Sequence, residues 1–516
     1  MADPFAITGI VLAVPGLVDL AIKYASFLKE KYDLYKDMDR DQRLYKLIIK
    51  CVEGEVHEVL MFYHKNAASV TPTFRDNLDE LFQAIRDCVE SVVSLVTDKT
   101  TGVLAKVGYS LHGAKKLSKK CEALEAWQKR FLDRAIVFRL FGMPIAAEGS
   151  VPSLPAQAQA GIFDRLASIR GTIVGTGAEQ NLADLVLDDD EDFAELKPVA
   201  DSKLFILQST DTGSYKLAEY KTYTSTSDVA AINPVRVLVR ELAARLSQAD
   251  PGTMGILKCL GYSQEPRRNR FALHFAYPEH RSNPRSLQSL MMDEQNRRIG
   301  LVHSMSDRLR LAKSLAAAVF YVHAGGFVHK QINSTNVIVF EDPSHPFPYH
   351  IGQPYLAGFD AVRKADAASV LFRVEDWKSN IYLHPDRHRL QPNDYFKMEY
   401  DIYSLGIVLL EIACWGSFVD KKGLGKALWE VKKDATNTQQ SEEMVLLDPI
   451  RLRKQYLKVA KRKIPPTLGD KYREVVVSCL DGLEKEGDHK IDGVDTVVAG
   501  LAYIDQVMEK LNEIEL

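Results

Sequence analysis

The stretch FVHKQINSTNVIV, residues 327–339, decides how the second half of this chain is read. A helical run ends at Gly325-Gly326, and a short apolar β-type segment carries His329. Asn336 follows seven residues later and leads into a strand of valine and isoleucine. Lys330 and Gln331 stand directly after the histidine. A neutral amide has no useful basicity near pH 7, so Gln331 cannot serve as a general base.

Working outward, 516 residues suffice for two or three domains with real cores. A net charge of −3 argues against a general nucleic-acid binder, whose phosphate contacts need a basic surplus. The six cysteines (Cys51, Cys88, Cys121, Cys259, Cys414, Cys479) form no CxxC pair. Neither a zinc ribbon nor a disulfide framework is predicted, and the thiols read as reduced, in a cytosolic protein.

Residues 1–142 read as helix. Segments 17–36, 38–64, 74–97 and 113–142 place apolar residues three and four apart, and four such helices predict a bundle. The opening run FAITGIVLAVPGLVDLAI, residues 5–22, carries only Asp19. It lacks the basic start and cleavage site of a signal peptide and lies at the lower edge of membrane-spanning length. It is either the most buried helix of the bundle or an inserting segment. The cluster KKLSKK at 115–120 is either a solvated helix face or a site for anionic headgroups. The same choice holds for RLRKQYLKVAKRK at 451–463.

Residues 143–200 read as linker, rich at first in Pro, Gly, Ala and Ser, with a short helix over 162–169. GTIVGTGAEQN lacks the Lys-Ser/Thr ending of a phosphate loop, and the acidic LDDDEDFAEL at 187–196 is a solvated spacer or a lid. From 201 on, β-rich sequence gives way to helix-rich sequence. Strands are predicted over 203–209, 216–223 and 270–278, and helices over 234–249, 306–326 and 401–415.

The spacing of His329 and Asn336 resembles the protein-kinase catalytic loop, His-Arg-Asp-Leu-x-x-x-Asn. On that resemblance Gln331 replaces the catalytic aspartate, Lys330 the arginine, and Asn336 alone survives as a metal ligand. Lys221 matches the lysine that grips the ATP phosphates and Glu241 its ion-pair partner. The glycine-rich phosphate cover is reduced to STDTGSY, with Gly213 alone. Gly358-Phe359-Asp360 stands in place of Asp-Phe-Gly, so the metal-binding carboxylate is missing. YLHPD (382–386) is similar to the end of an activation segment. Asp401, Ser404, Leu405, Gly406 and Glu411 fit the buried helix that begins with a structural aspartate. The region 201–510 thus resembles a kinase fold with its catalytic groups removed, a pseudokinase.

The whole chain resembles the mixed-lineage-kinase-like executioners of necroptosis. The opening DPFAITGIVLAVPGLVDLAIKY is similar to the HeLo and HeLo-like domains of fungal heterokaryon-incompatibility proteins of the prion-inhibition and propagation type. The resemblance implies a multidomain chain: a HeLo-like all-α bundle over 1–142, a brace over 143–200, and an α+β two-lobed kinase-like domain over 201–510. It implies a regulated cell-death effector, cytoplasmic when latent, whose bundle self-associates and permeabilises the plasma membrane on a signal from an upstream receptor. Phe5, Ile7, Ile10, Val11 and Leu12 would insert, with Lys115, Lys116, Lys119 and Lys120 on anionic lipid headgroups. No metal and no cofactor is required, and any ATP would be held without magnesium by Lys221, Glu241 and Asn336. Two other readings stay open at this point. One is a weakly active Ser/Thr kinase with Asp360 recruited for metal; the other is a non-catalytic scaffold.

Overall fold

The segment Arg270–Ala276 is buried without interruption from Phe271 to Phe275. A strand buried at both parities lies inside a sheet covered on both faces. The computed structural model describes residues 185–187, 193–223, 229–300, 303–324, 326–364, 376–388, 396–433, 442–483 and 496–515. It also describes Ala84, Asp87, Lys119, Ala123, Arg130 and Asp133, which are helical. The chain divides into two compact units, Met1–Gly161 and Ile162–Leu516. The four-helix bundle expected over 1–142 otherwise falls outside the described residues, as does the helix expected over 162–169.

The second unit is α+β. Its larger sheet is antiparallel, with β1 (Phe193–Pro198), β2 (Leu204–Ser209), β3 (Tyr215–Thr222), β4 (Cys259–Glu265) and β5 (Arg270–Ala276) in the order β1-β2-β3-β5-β4. Helix α1 (Val229–Leu246) packs on β4 and β5 through Leu238, Val239, Leu242, Ala243 and Leu246, one stripe at helical spacing.

Two sequence expectations are corrected here. Residues 193–198 belong to the sheet, not to a linker. Their strand lies at its edge, where charge such as that of the acidic run is tolerated because it deters pairing with other chains. Helix α1 begins at Val229, so Pro234 lies inside it. The missing N–H forfeits a helical bond, and burial of the apolar stripe outweighs that loss.

The rest of the unit is helical around two long elements. After β6 (Ser282–Ser286) come the short α2 (Leu287–Met291) and α3 (Glu294–Arg298), then α4 (Met305–Ala324). A small sheet follows, in which β8 (Val337–Glu341) lies between β6 and β9 (Gln353–Leu356). The two-residue β7 (Phe327–Val328) pairs with β10 (Arg363–Lys364). Helix α5 (Met398–Cys414) is buried from Tyr400 through Ala413, so every face has a neighbour. It packs on α4, α6 (Pro449–Lys463) and α7 (Pro465–Asp481). Gly406 permits the closest approach, since a Cβ there would lie 2.7 Å from Cys479 Cβ. Buried tyrosines pin this core to backbone carbonyls: Tyr456 to Ile381 (2.8 Å), Tyr472 to Leu409 (3.0 Å) and Tyr503 to Ala316 (2.9 Å). Each phenol brings ring area to the core and satisfies its own hydroxyl. Cys259, Cys414 and Cys479 are free thiols. No helix among the described residues is long and apolar enough to cross a membrane.

Candidate functional site

The loop from β7 to β8 is held from below by one carboxylate. Asp401, in the first turn of α5, accepts hydrogen bonds from His329 N (2.6 Å), Lys330 N (2.8 Å) and His323 Nε2 (3.0 Å). Burial opposes its charge, yet His323 and the His329 amide hold the carboxyl below its ordinary range. The paired amides fix Lys330 in the left-handed region, φ 70°, where a side chain is strained. His329 is fully buried and kept neutral by that burial. Its Nε2 donates to Ala357 O (3.0 Å), and its ring meets Phe359 edge-on at 5.2 Å.

A second buried carboxylate holds the segment that carries Tyr382. Tyr382 donates to Glu411 (2.8 Å), and Ser417 Oγ (3.0 Å) and Phe418 N (2.7 Å) donate to the same oxygen. Burial raises Glu411 to about 7 despite these bonds. Ser404 Oγ donates to Tyr382 O (2.8 Å), so YLHPD is anchored on α5. The expected burial of Asp401, Ser404, Leu405, Gly406 and Glu411 is what the structure has.

Above the loop the residues differ from expectation. Gly358 has φ 87°, and a Cβ there would fall on the Asn336 carboxamide. Asn336 Nδ2 donates across the loop to Gln331 O (2.8 Å). The backbone of Gly358-Phe359 is gripped by Glu219 of β3, which accepts from Gly358 N (2.6 Å) and Phe359 N (2.7 Å). Glu219 is 2% exposed, and burial raises it to about 7, with nearby Asp360 adding to the rise. Two residues along the same strand face, Lys221 donates to the Asp360 carbonyl. Glu241 lies partly buried on α1.

The turn Val199–Lys203 between β1 and β2 completes the site. It is closed by Val199 N to Leu204 O (2.8 Å) and Ser202 N to Val199 O (3.0 Å), with Asp201 left-handed at φ 57°. It delivers Lys203 Nζ to Asp360 Oδ2 (2.8 Å) and Gln331 Oε1 (3.2 Å). The ammonium thus joins the 327–339 loop to the segment 358–360. STDTGSY instead closes β2 onto β3, through Ser209 N to Ser214 O (2.8 Å) and Gly213 N to Ser209 O (3.1 Å).

Gln331, Asn336, Gly358, Asp360 and Lys221 therefore come together, with Glu219 and Lys203 added. Glu219 had a visible signal, a charge in the inward phase of β3 beside Leu217. Lys203 had none. Of the residues assigned to membrane contact, Lys119 is helical and exposed. Phe5, Ile7, Ile10, Val11, Leu12, Lys115, Lys116 and Lys120 lie outside the described residues. Among the described residues no three His, Cys, Asp or Glu side chains are grouped so as to hold a metal ion. No protein-family model matches the chain, and no curated protein matches it.

Proposed function

We propose that the second unit is a kinase-like fold without phosphoryl transfer, a pseudokinase that restrains a membrane-acting helical bundle. The reading rests first on one observation: Lys203 bonded to Asp360 and Gln331. In kinases the first hairpin of the sheet covers the phosphates with glycines, and metal ions neutralise them below. With β1 counted, the first hairpin here is Val199–Lys203, which has no glycine and sets an ammonium group against the acidic residue.

The residues do not fit a magnesium ion, which demands oxygen ligands in near-octahedral geometry. Gly358 offers no carboxylate, and the Asp360 carboxylate is paired with Lys203. Gln331 cannot take the proton of a substrate hydroxyl. The sheet order, the loop seated on Asp401 and the anchored YLHPD support the kinase-like frame. A frame without catalytic groups suits regulation by a shift between two arrangements. On the resemblance in the N-terminal residues, that regulation acts on a HeLo-like bundle that oligomerises, inserts Phe5 to Leu12 and perturbs the plasma membrane.

One observation favours the second reading, a weakly active kinase: Asp360 Oδ1 is buried and makes no hydrogen bond. One experiment separates the readings. The full chain and its Lys203→Glu variant are assayed for phosphate incorporation from labelled ATP with magnesium or manganese, and for dye release from anionic vesicles. We expect no incorporation by either, and release that is greater for Lys203→Glu and abolished by adding Leu12→Glu. Metal-dependent incorporation by the wild type establishes the kinase, and absence of release from every form leaves a scaffold.

A further inference from the structure

The helical part of the second unit holds a cavity of about 550 Å³ that the site above does not use. Pockets of that size enclose small organic ligands. Its walls come from α2, α3, the start of α4, the end of α5 and the junction of α6 with α7. Its charges do not cancel. Asp293 is engaged by Arg285 (2.9 Å), and Arg297 by Asp420 (2.9 Å).

Three cations remain. Arg308 is 5% exposed, with Nε and Nη1 fixed on His303 O (3.1 Å) and Ala413 O (3.2 Å). Its Nη2 makes no hydrogen bond among the described residues. Arg462 and Lys463 are exposed at the rim, with no acidic partner among the described residues.

A further polar group faces the cavity. Asn296 is 9% exposed and its carboxamide makes no hydrogen bond among the described residues. Its carboxamide is open to the cavity and so is available to a bound group. Trp415 holds a left-handed φ of 46°, which a bulky residue rarely adopts, and its ring stands 4.6 Å from His303 and 5.7 Å from the Arg308 guanidinium. Strain of this kind is kept where it positions a group.

We propose that this cavity binds a phosphate ester. A guanidinium and two further cations suit a dianion with several acceptor oxygens better than a single carboxylate. The Asn296 amide supplies a neutral donor, and the apolar wall beside Trp415 takes the organic part. The phosphate could belong to a soluble molecule or to a lipid headgroup, and the test separates them.

The full chain is titrated with inorganic pyrophosphate, and separately with phosphatidylcholine vesicles with and without phosphatidic acid. In both arms Lys463 reactivity toward an acetylating reagent is read by mass spectrometry. Binding that shields Lys463 and weakens about ten-fold or more in the Arg462→Glu/Lys463→Glu variant is the expected result. Lys221→Met, which alters only the sheet-side site, should bind as the wild type does. A response to pyrophosphate assigns a soluble ligand, and a response to phosphatidic acid vesicles alone assigns a headgroup. Binding that leaves Lys463 unshielded or survives the double charge reversal overturns the proposal, as does no binding in either arm. The shielding measurement uses the wild-type chain and does not depend on the variant's folding.

Discussion

The seat under the 327–339 loop and the mouth above it are built from opposite materials. Below, Asp401 is fully buried, takes three donors and holds the loop where its sequence spacing predicts. Above, Lys203 is 56% exposed in its side chain and pairs with an aspartate that is 21% exposed. A buried carboxylate with every donor paired cannot be exchanged piecemeal, because each loss strands another polar group. A half-solvated pair is replaceable at little cost. The comparison teaches that a buried seat is fixed by its whole donor set, whereas the exposed pair above it is free to change.

The comparison breaks most sharply at Asp401. Replacing it with alanine leaves the His329 and Lys330 amides buried without an acceptor. A loss of about 3–5 kcal/mol is expected, read as a fall in the denaturant midpoint. A loss below about 1 kcal/mol would place the seat and the mouth in one class. Placing an acid there with Gly358→Asp should cost about 1–3 kcal/mol, because the side chain meets the Asn336 amide and φ is positive. It should create no magnesium-dependent rise in melting temperature; such a rise would show that one added carboxylate suffices for the mouth to hold a metal ion.

Glu219 sharpens the comparison through pH. Its folded-state pKa of about 7 lies above the free value of 4.5. The stabilisation tied to that proton is therefore whole below about 4.5 and is lost as pH rises through about 7. Glu411, raised to about 7 by burial, contributes in the same window. Stability should decline across that range, and Glu219→Gln, which has no proton to lose, should flatten the decline. An unchanged slope would assign it to Glu411 alone. The smallest effect is expected at Lys203→Ala, about 0–1 kcal/mol in a denaturant titration, because the pair is half-solvated.

Much of this was legible in the sequence, and the limits have physical causes. Helices α4 and α5 announce themselves because their apolar residues are continuous and local. Asp401 and Glu411 were readable because their spacing within one helix is fixed. The edge strand β1 was hidden because FAELKP follows an acidic run, and a strand with one unpaired side carries little hydrophobic signal. Lys203 was invisible for a different reason: its partners lie 128 and 157 residues away. No local pattern records a pairing that the fold alone creates.

The turn Val199–Lys203 carries one further consequence. A cation borne on the chain cannot be chelated or diluted; it stays within reach of Asp360 for as long as the hairpin stays in place. The environment of Asp360 thus depends on a loop's position. Whatever lifts that turn also bares the charge beneath it, so the mechanical event and the electrical one are the same event.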